Sequence, residues 1–167
     1  MTAKAGKYLT FELCGHMYAV AIDIIASILN EWGHISPVPE FPDYGVGAIS
    51  HWGYVIPVID PRIRMNLPGA ASAETTCLIM VNMAENVPDD SGSGGMMGLL
   101  ADRIRNIMDF DGEGLCEAPR LTSHTSGYIT GVYKASDTII LIVDPRFLVT
   151  EDMNRAFDNY MNEQHKS

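Results

Sequence analysis

The chain has 167 residues, enough for one cooperative domain or for two small halves that share a core. Hydrophobic residues make up 47% of it and charged residues 19%, which excludes an intrinsically disordered chain. A formal net charge of −10 at pH 7, with no dense Lys/Arg patch, excludes the electrostatics of a nucleic-acid binder.

The opening MTAKAGK lacks the apolar stretch of a signal peptide, and no apolar run approaches the roughly 20 residues of a membrane span, so a cytoplasmic chain without direct membrane insertion is expected. Residues 8–13 alternate apolar and polar and read as a strand, closed by the Cys14-Gly15 turn. GHMYAVAIDIIASIL then gives a Gly, a strand-like run, an Asp and further apolar residues. Residues 37–42, PVPEFP, form a rigid connector in which proline sets the backbone and Phe41 supplies an anchor. The His51-Trp52-Gly53 turn leads into a β-branched strand at Tyr54–Ile59.

A further strand is predicted at residues 76–81, followed by the acidic, Gly/Ser-rich stretch 84–95, read as a solvated hairpin tip. GGMMGLLADRIRNIM repeats the earlier order of Gly, apolar run, Asp and apolar residues. The Ala135-Ser136-Asp137 turn then precedes a strand at Thr138–Val143. Met153, Ala156, Phe157, Tyr160 and Met161 keep helical spacing, which predicts a C-terminal helix over residues 151–165 that docks on the body.

One phrase occurs twice, as VIDPR at residues 58–62 and IVDPR at 142–146. Tyr44-Gly45-Val46-Gly47 likewise has a counterpart in Tyr128-Ile129-Thr130-Gly131. Two related half motifs, 7–66 and 75–150, are therefore expected inside a single domain of residues 1–167, as two similar sheets or barrels packed together. Each DPR has a local explanation: Asp60 and Asp144 act as N-caps after buried strands, with Pro61 and Pro145 at the first helical position.

The usual signatures of catalysis are missing. His16, His34, His51, His124 and His165 have no spacing that would put two imidazoles on one metal, and Cys14, Cys77 and Cys116 form no close pair. Gly92, Gly94 and Gly95 neighbour no Lys and precede a strand, unlike a phosphate loop, and no GxSxG frames a serine. No enzyme activity, metal or cofactor is expected.

YAVAIDIIASIL, ISPVPEFPDYGVG, a turn ending at Gly53 and YVIPVIDPRIRM, in that order, resemble the first half of the CheW-like family of chemotaxis coupling proteins. Residues 98–108 and 128–149 resemble its second half, so the likeness covers about residues 7 to 150. The resemblance implies a mainly β fold of two pseudo-symmetric five-strand, SH3-like β-barrels with short helical turns and a C-terminal helix. It implies a non-enzymatic adaptor with two partners, the regulatory domain of a CheA-type histidine kinase and the cytoplasmic tip of chemoreceptors. Carried over, the kinase-contact candidates are Ile25, Ser27 and Ile28, and the receptor-contact candidates are Ser50, His51 and Trp52. At that turn the family's usual Asn-Leu-Arg-Gly is Ser50-His51-Trp52-Gly53, so an Arg is missing; Trp52 is expected to lie exposed there and to anchor a partner. The competing class is a small-molecule-binding or enzymatic β-barrel that shares only the architecture.

Overall fold

The computed structural model describes residues 3–69, 77–83, 95–118 and 127–165. The acidic stretch 84–94, Thr76 and His124 lie outside the described residues.

Among the described residues eleven strands and two α-helices follow one another: β1 Gly6–Leu13, β2 His16–Ala21, β3 Ile25–Leu29, β4 Gly45–His51, β5 Tyr54–Ile59, α1 Pro61–Arg64, β6 Cys77–Asn82, β7 Met96–Ala101, β8 Arg103–Phe110, β9 Leu115–Cys116, β10 Ile129–Ala135, β11 Thr138–Val143 and α2 Glu151–His165. They build two sheets, ordered β8-β1-β2-β11-β10-β9 and β3-β6-β7-β5-β4. The architecture is thus mainly β, as expected, but neither ladder closes on itself: β8 and β9 end one sheet, β3 and β4 the other. The first sheet has six strands because the two-residue β9 pairs with β10.

Each sheet takes strands from both half motifs. The β1–β2 hairpin sits between β8 and β11, while the β6–β7 hairpin sits between β3 and β5. The joints are the two parallel pairings, β2 with β11 and β7 with β5. The repeated phrases occupy matching places: a register shift falls between Gly45 and Gly47 and again between Ile129 and Gly131. Asp60 N donates to Tyr44 O, and Asp144 N to Tyr128 O, both at 2.8 Å.

Period-2 side-chain alternation sends each hairpin into two cores. Leu9, Phe11 and Leu13 of β1 join Ile79, Val81 and Leu99 of the other sheet in a central cluster, whereas Tyr8 and Ala19 face a separate cluster with Phe110, Tyr133 and Ile140. Leu78, Met80 and Leu100 point the opposite way, to a third cluster with Ile49, Ile56 and Val58. Thr10 is fully buried, and its hydroxyl lies 2.6 Å from Asn106 Oδ1 and 2.9 Å from Asn106 O, which satisfies backbone freed where β8 shifts register against β1. Helix α2 covers the central cluster through Met153, Ala156 and Phe157, and Phe41 of the proline connector meets Phe157 with ring centroids 6.4 Å apart.

Candidate functional site

The repeated DPR is first a structural device. Asp60 caps α1 by accepting from Arg62 N at 3.0 Å, and Asp144 caps its own helical turn by accepting from Arg146 N at 3.1 Å. The arginine two residues on then folds back: Arg62 Nε and Nη2 donate to the two Asp60 oxygens at 2.8 Å each, and Arg146 repeats the fork on Asp144 at 2.9 and 2.7 Å. The first copy is the deeper one. Arg62 Nη1 also donates to Asp102 Oδ1 at 2.7 Å, and Asp102 Oδ2 accepts from Cys14 N at 2.7 Å. These bonds lock the end of β5, the end of β7 and the β1–β2 turn together, and the two carboxylates hold the Arg62 guanidinium above its usual pKa despite burial. Burial, and then Asp102, push the Cys14 thiol up, away from thiolate reactivity.

Strand β3 is an edge, bonded on one side only, to β6. It carries all three kinase-contact candidates. Ile28 is 38% exposed, Ser27 is half-buried, and Ile25 is half-buried with its side chain packed on the central core. Ile28 is therefore the apolar group this edge offers outward.

The receptor-contact candidates lie at the far side of the same sheet, at the end of the opposite edge strand β4. His51 pairs with Tyr54, which leaves Trp52 and Gly53 as a two-residue hairpin loop with φ of 50° and 83°. That is type I′ geometry, which favours Asn-Gly, so a tryptophan in its first place is held against local preference. Nothing in the core holds it: Trp52 is 83% exposed, and its ring stacks on that of His51 at 4.8 Å and 16°. His51 is half-buried with Nε2 inside and without a partner, Ser50 is exposed, and Tyr54 beyond the loop is 39% exposed. Ser50, His51 and Trp52 come together at one turn, well separated along the sheet from Ile25, Ser27 and Ile28.

Tyr54 was missed by sequence reasoning, although its place directly after a two-residue turn is a usable signal. The Asp102 bridge was also missed, and sequence gives no sign of a pairing across so many residues. A cavity of about 370 Å³ lies elsewhere, between the N-terminal segment and Asp144, with Lys4, Tyr8, Asp23, Thr130 and Arg146 in its wall. Among the described residues no group of His, Cys, Asp or Glu could hold a metal ion, and no helix is long and apolar enough to cross a membrane.

Comparison with known proteins places the chain in a family. The family model described as a CheW-like domain matches residues 7–153. The chain is 21% identical over 154 residues to the chemotaxis protein CheW of Klebsiella aerogenes, covering 92% of this chain and 87% of that one. It is 25% identical over 160 residues to the CheW of Bacillus subtilis, covering 93% and 96%. The crystal structure of the scaffolding protein TtCheW from Thermoanaerobacter tengcongensis superposes with a TM-score of 0.74 at 23% identity, covering 87% of this chain and 92% of that one, which shows the same fold. The chain belongs to the CheW-like family of chemotaxis coupling adaptors.

Proposed function

We propose that the protein is a non-enzymatic, cytoplasmic adaptor that couples the cytoplasmic tip of chemoreceptors to the regulatory domain of a CheA-type histidine kinase. The kinase docks on the β3 edge through Ile28 with Ser27 and Ile25, and the receptor docks on the β4–β5 turn through Trp52 with Ser50 and His51. Each sheet curls in this reading as an SH3-like barrel around its own small core. The observation that carries the assignment is the family match across residues 7–153; two apolar groups exposed at opposite edges of one sheet support the division of labour.

The test is titration of the kinase regulatory domain and of a receptor-tip fragment against wild type, Ile28→Glu and Trp52→Ala. Ile28→Glu is expected to weaken the kinase contact by about tenfold or more, and Trp52→Ala the receptor contact by roughly thirtyfold, an interface hot-spot loss. Each substitution should spare the other contact and the melting temperature, since both side chains are exposed. Unchanged binding of both partners by both variants contradicts the assignment of surfaces.

A further inference from the structure

Between Lys7 and Arg103 the chain contains only two Lys or Arg residues, Arg62 and Arg64. The whole β3–β7 sheet is built from that stretch. Its five strands contain no Asp, Glu, Lys or Arg at all, whereas the other sheet carries Lys7, Arg103, Arg105 and Lys134 in its strands. Both arginines of the stretch are committed inward. Arg62 is 3% exposed on Asp60 and Asp102; Arg64 donates from Nε to Leu148 O at 2.6 Å, its guanidinium 5.7 Å and 5.4 Å from the ring centroids of Tyr44 and Tyr128.

Among its described residues this sheet thus offers a carboxylate no outward Lys or Arg, while Glu31, Glu40 and Asp43 lie in the connection between β3 and β4. What the turn does offer is aromatic surface. Trp52 is 83% exposed over the His51 ring, and Tyr54 is 39% exposed. A carboxylate pressed against this indole loses its hydration while the strands of this sheet carry no Lys or Arg to pair with it, and the net charge of −10 adds repulsion at longer range. An apolar side chain there gains by burial, and neighbouring Lys or Arg gain from the aromatic faces and from the protein's charge.

Resting on the receptor reading above, we infer that the segment seated on the β4–β5 turn presents an apolar side chain to Trp52, flanked by Lys or Arg, and no carboxylate. The Trp in place of Arg changes which receptor sequence is accepted.

The experiment is a positional scan of a receptor-tip hairpin fragment, each exposed position set in turn to Leu or to Glu and titrated against wild type, Trp52→Arg and Trp52→Asn. Wild type should prefer Leu over Glu by at least about tenfold at one patch of adjoining positions. Trp52→Arg should reverse that preference at the same patch, and Trp52→Asn, with a residue suited to the turn, should fold and lose the discrimination. Raising NaCl from about 50 to about 300 mM should weaken wild-type binding, because the attraction between unlike charges is screened. Binding that prefers Glu, ignores the change at Trp52 or tightens with salt overturns the inference and leaves the receptor reading standing. If no fragment binds in any version, the receptor reading fails and the inference with it.

Discussion

Asp60 and Asp144 perform the same act at different depths, and the depth sets the energetic cost of losing each. Both cap a helical turn and hold an arginine two residues on, but the Asp60–Arg62 pair has side chains 7% and 4% exposed, against 10% and 33% for Asp144–Arg146. Asp60→Ala leaves a buried guanidinium with one carboxylate fewer and is expected to destabilise by about 3–5 kcal/mol. Asp144→Ala, whose Arg can turn to water, should cost about 0.5–2 kcal/mol, the usual loss of an N-cap. Paired urea titrations read the difference; equal losses contradict the account of the two networks. Trp52 is the opposite case, a residue the fold would be better without. Its positive φ is strained for an aromatic, and the His51 stack returns only part of that cost. Trp52→Asn should therefore raise stability by about 0.5–1 kcal/mol while receptor binding falls, measured by thermal melt beside titration. The capping aspartates were legible because Asp-Pro after a buried strand has a local meaning. The fork back from Arg62 carried no signal in the sequence, since the depth that makes it matter is set by β7 and the β1–β2 turn.

Strand edges decide which elements face partners. Edge strand β4 is partly covered by Ser36, which exchanges two backbone hydrogen bonds with Ala48 at 2.8 and 2.9 Å. This approach needs glycine at position 47, where φ is 150° and an added Cβ would run into the Ser36 carbonyl. Gly47→Ala is expected to cost about 1–3 kcal/mol and to speed exchange of the Ala48 amide; exchange unchanged from wild type contradicts the role given to this bridge. Edge strand β3 carries no charge and, among the described residues, no such strap, an arrangement that leaves strand edges open to pairing. Strands whose later residues are buried, such as Tyr54–Ile59 and Thr138–Val143, stood out in the sequence as β-branched runs. Edge strands β3 and β8 did not: in β8, Arg103, Arg105 and Asp109 interrupt the apolar pattern because most of its side chains meet water, and a register shift against β1 breaks the alternation.

At the scale of the molecule, the duplication visible in the sequence does not correspond to two consecutive blocks in space. The β1–β2 hairpin of the first half motif joins the strands β8 to β11 of the second, and the β6–β7 hairpin of the second half joins β3, β4 and β5 of the first, through the parallel β2–β11 and β5–β7 pairings. Motif repetition pointed to two similar sheets, but the exchange of hairpins depends on pairings between strands far apart in sequence, which no local pattern encodes. The consequence for function is that β3 and β4, the two ends of one sheet, belong to a single hydrogen-bonded ladder through β6, β7 and β5. In the proposed function these two ends serve two different partners at once. Sedimentation velocity of the protein mixed with the kinase regulatory domain and a receptor-tip fragment tests it most directly. A ternary complex is expected that loses only the kinase domain with Ile28→Glu and only the receptor fragment with Trp52→Ala. Mutual exclusion of the two partners, or loss of both with either substitution, would contradict it.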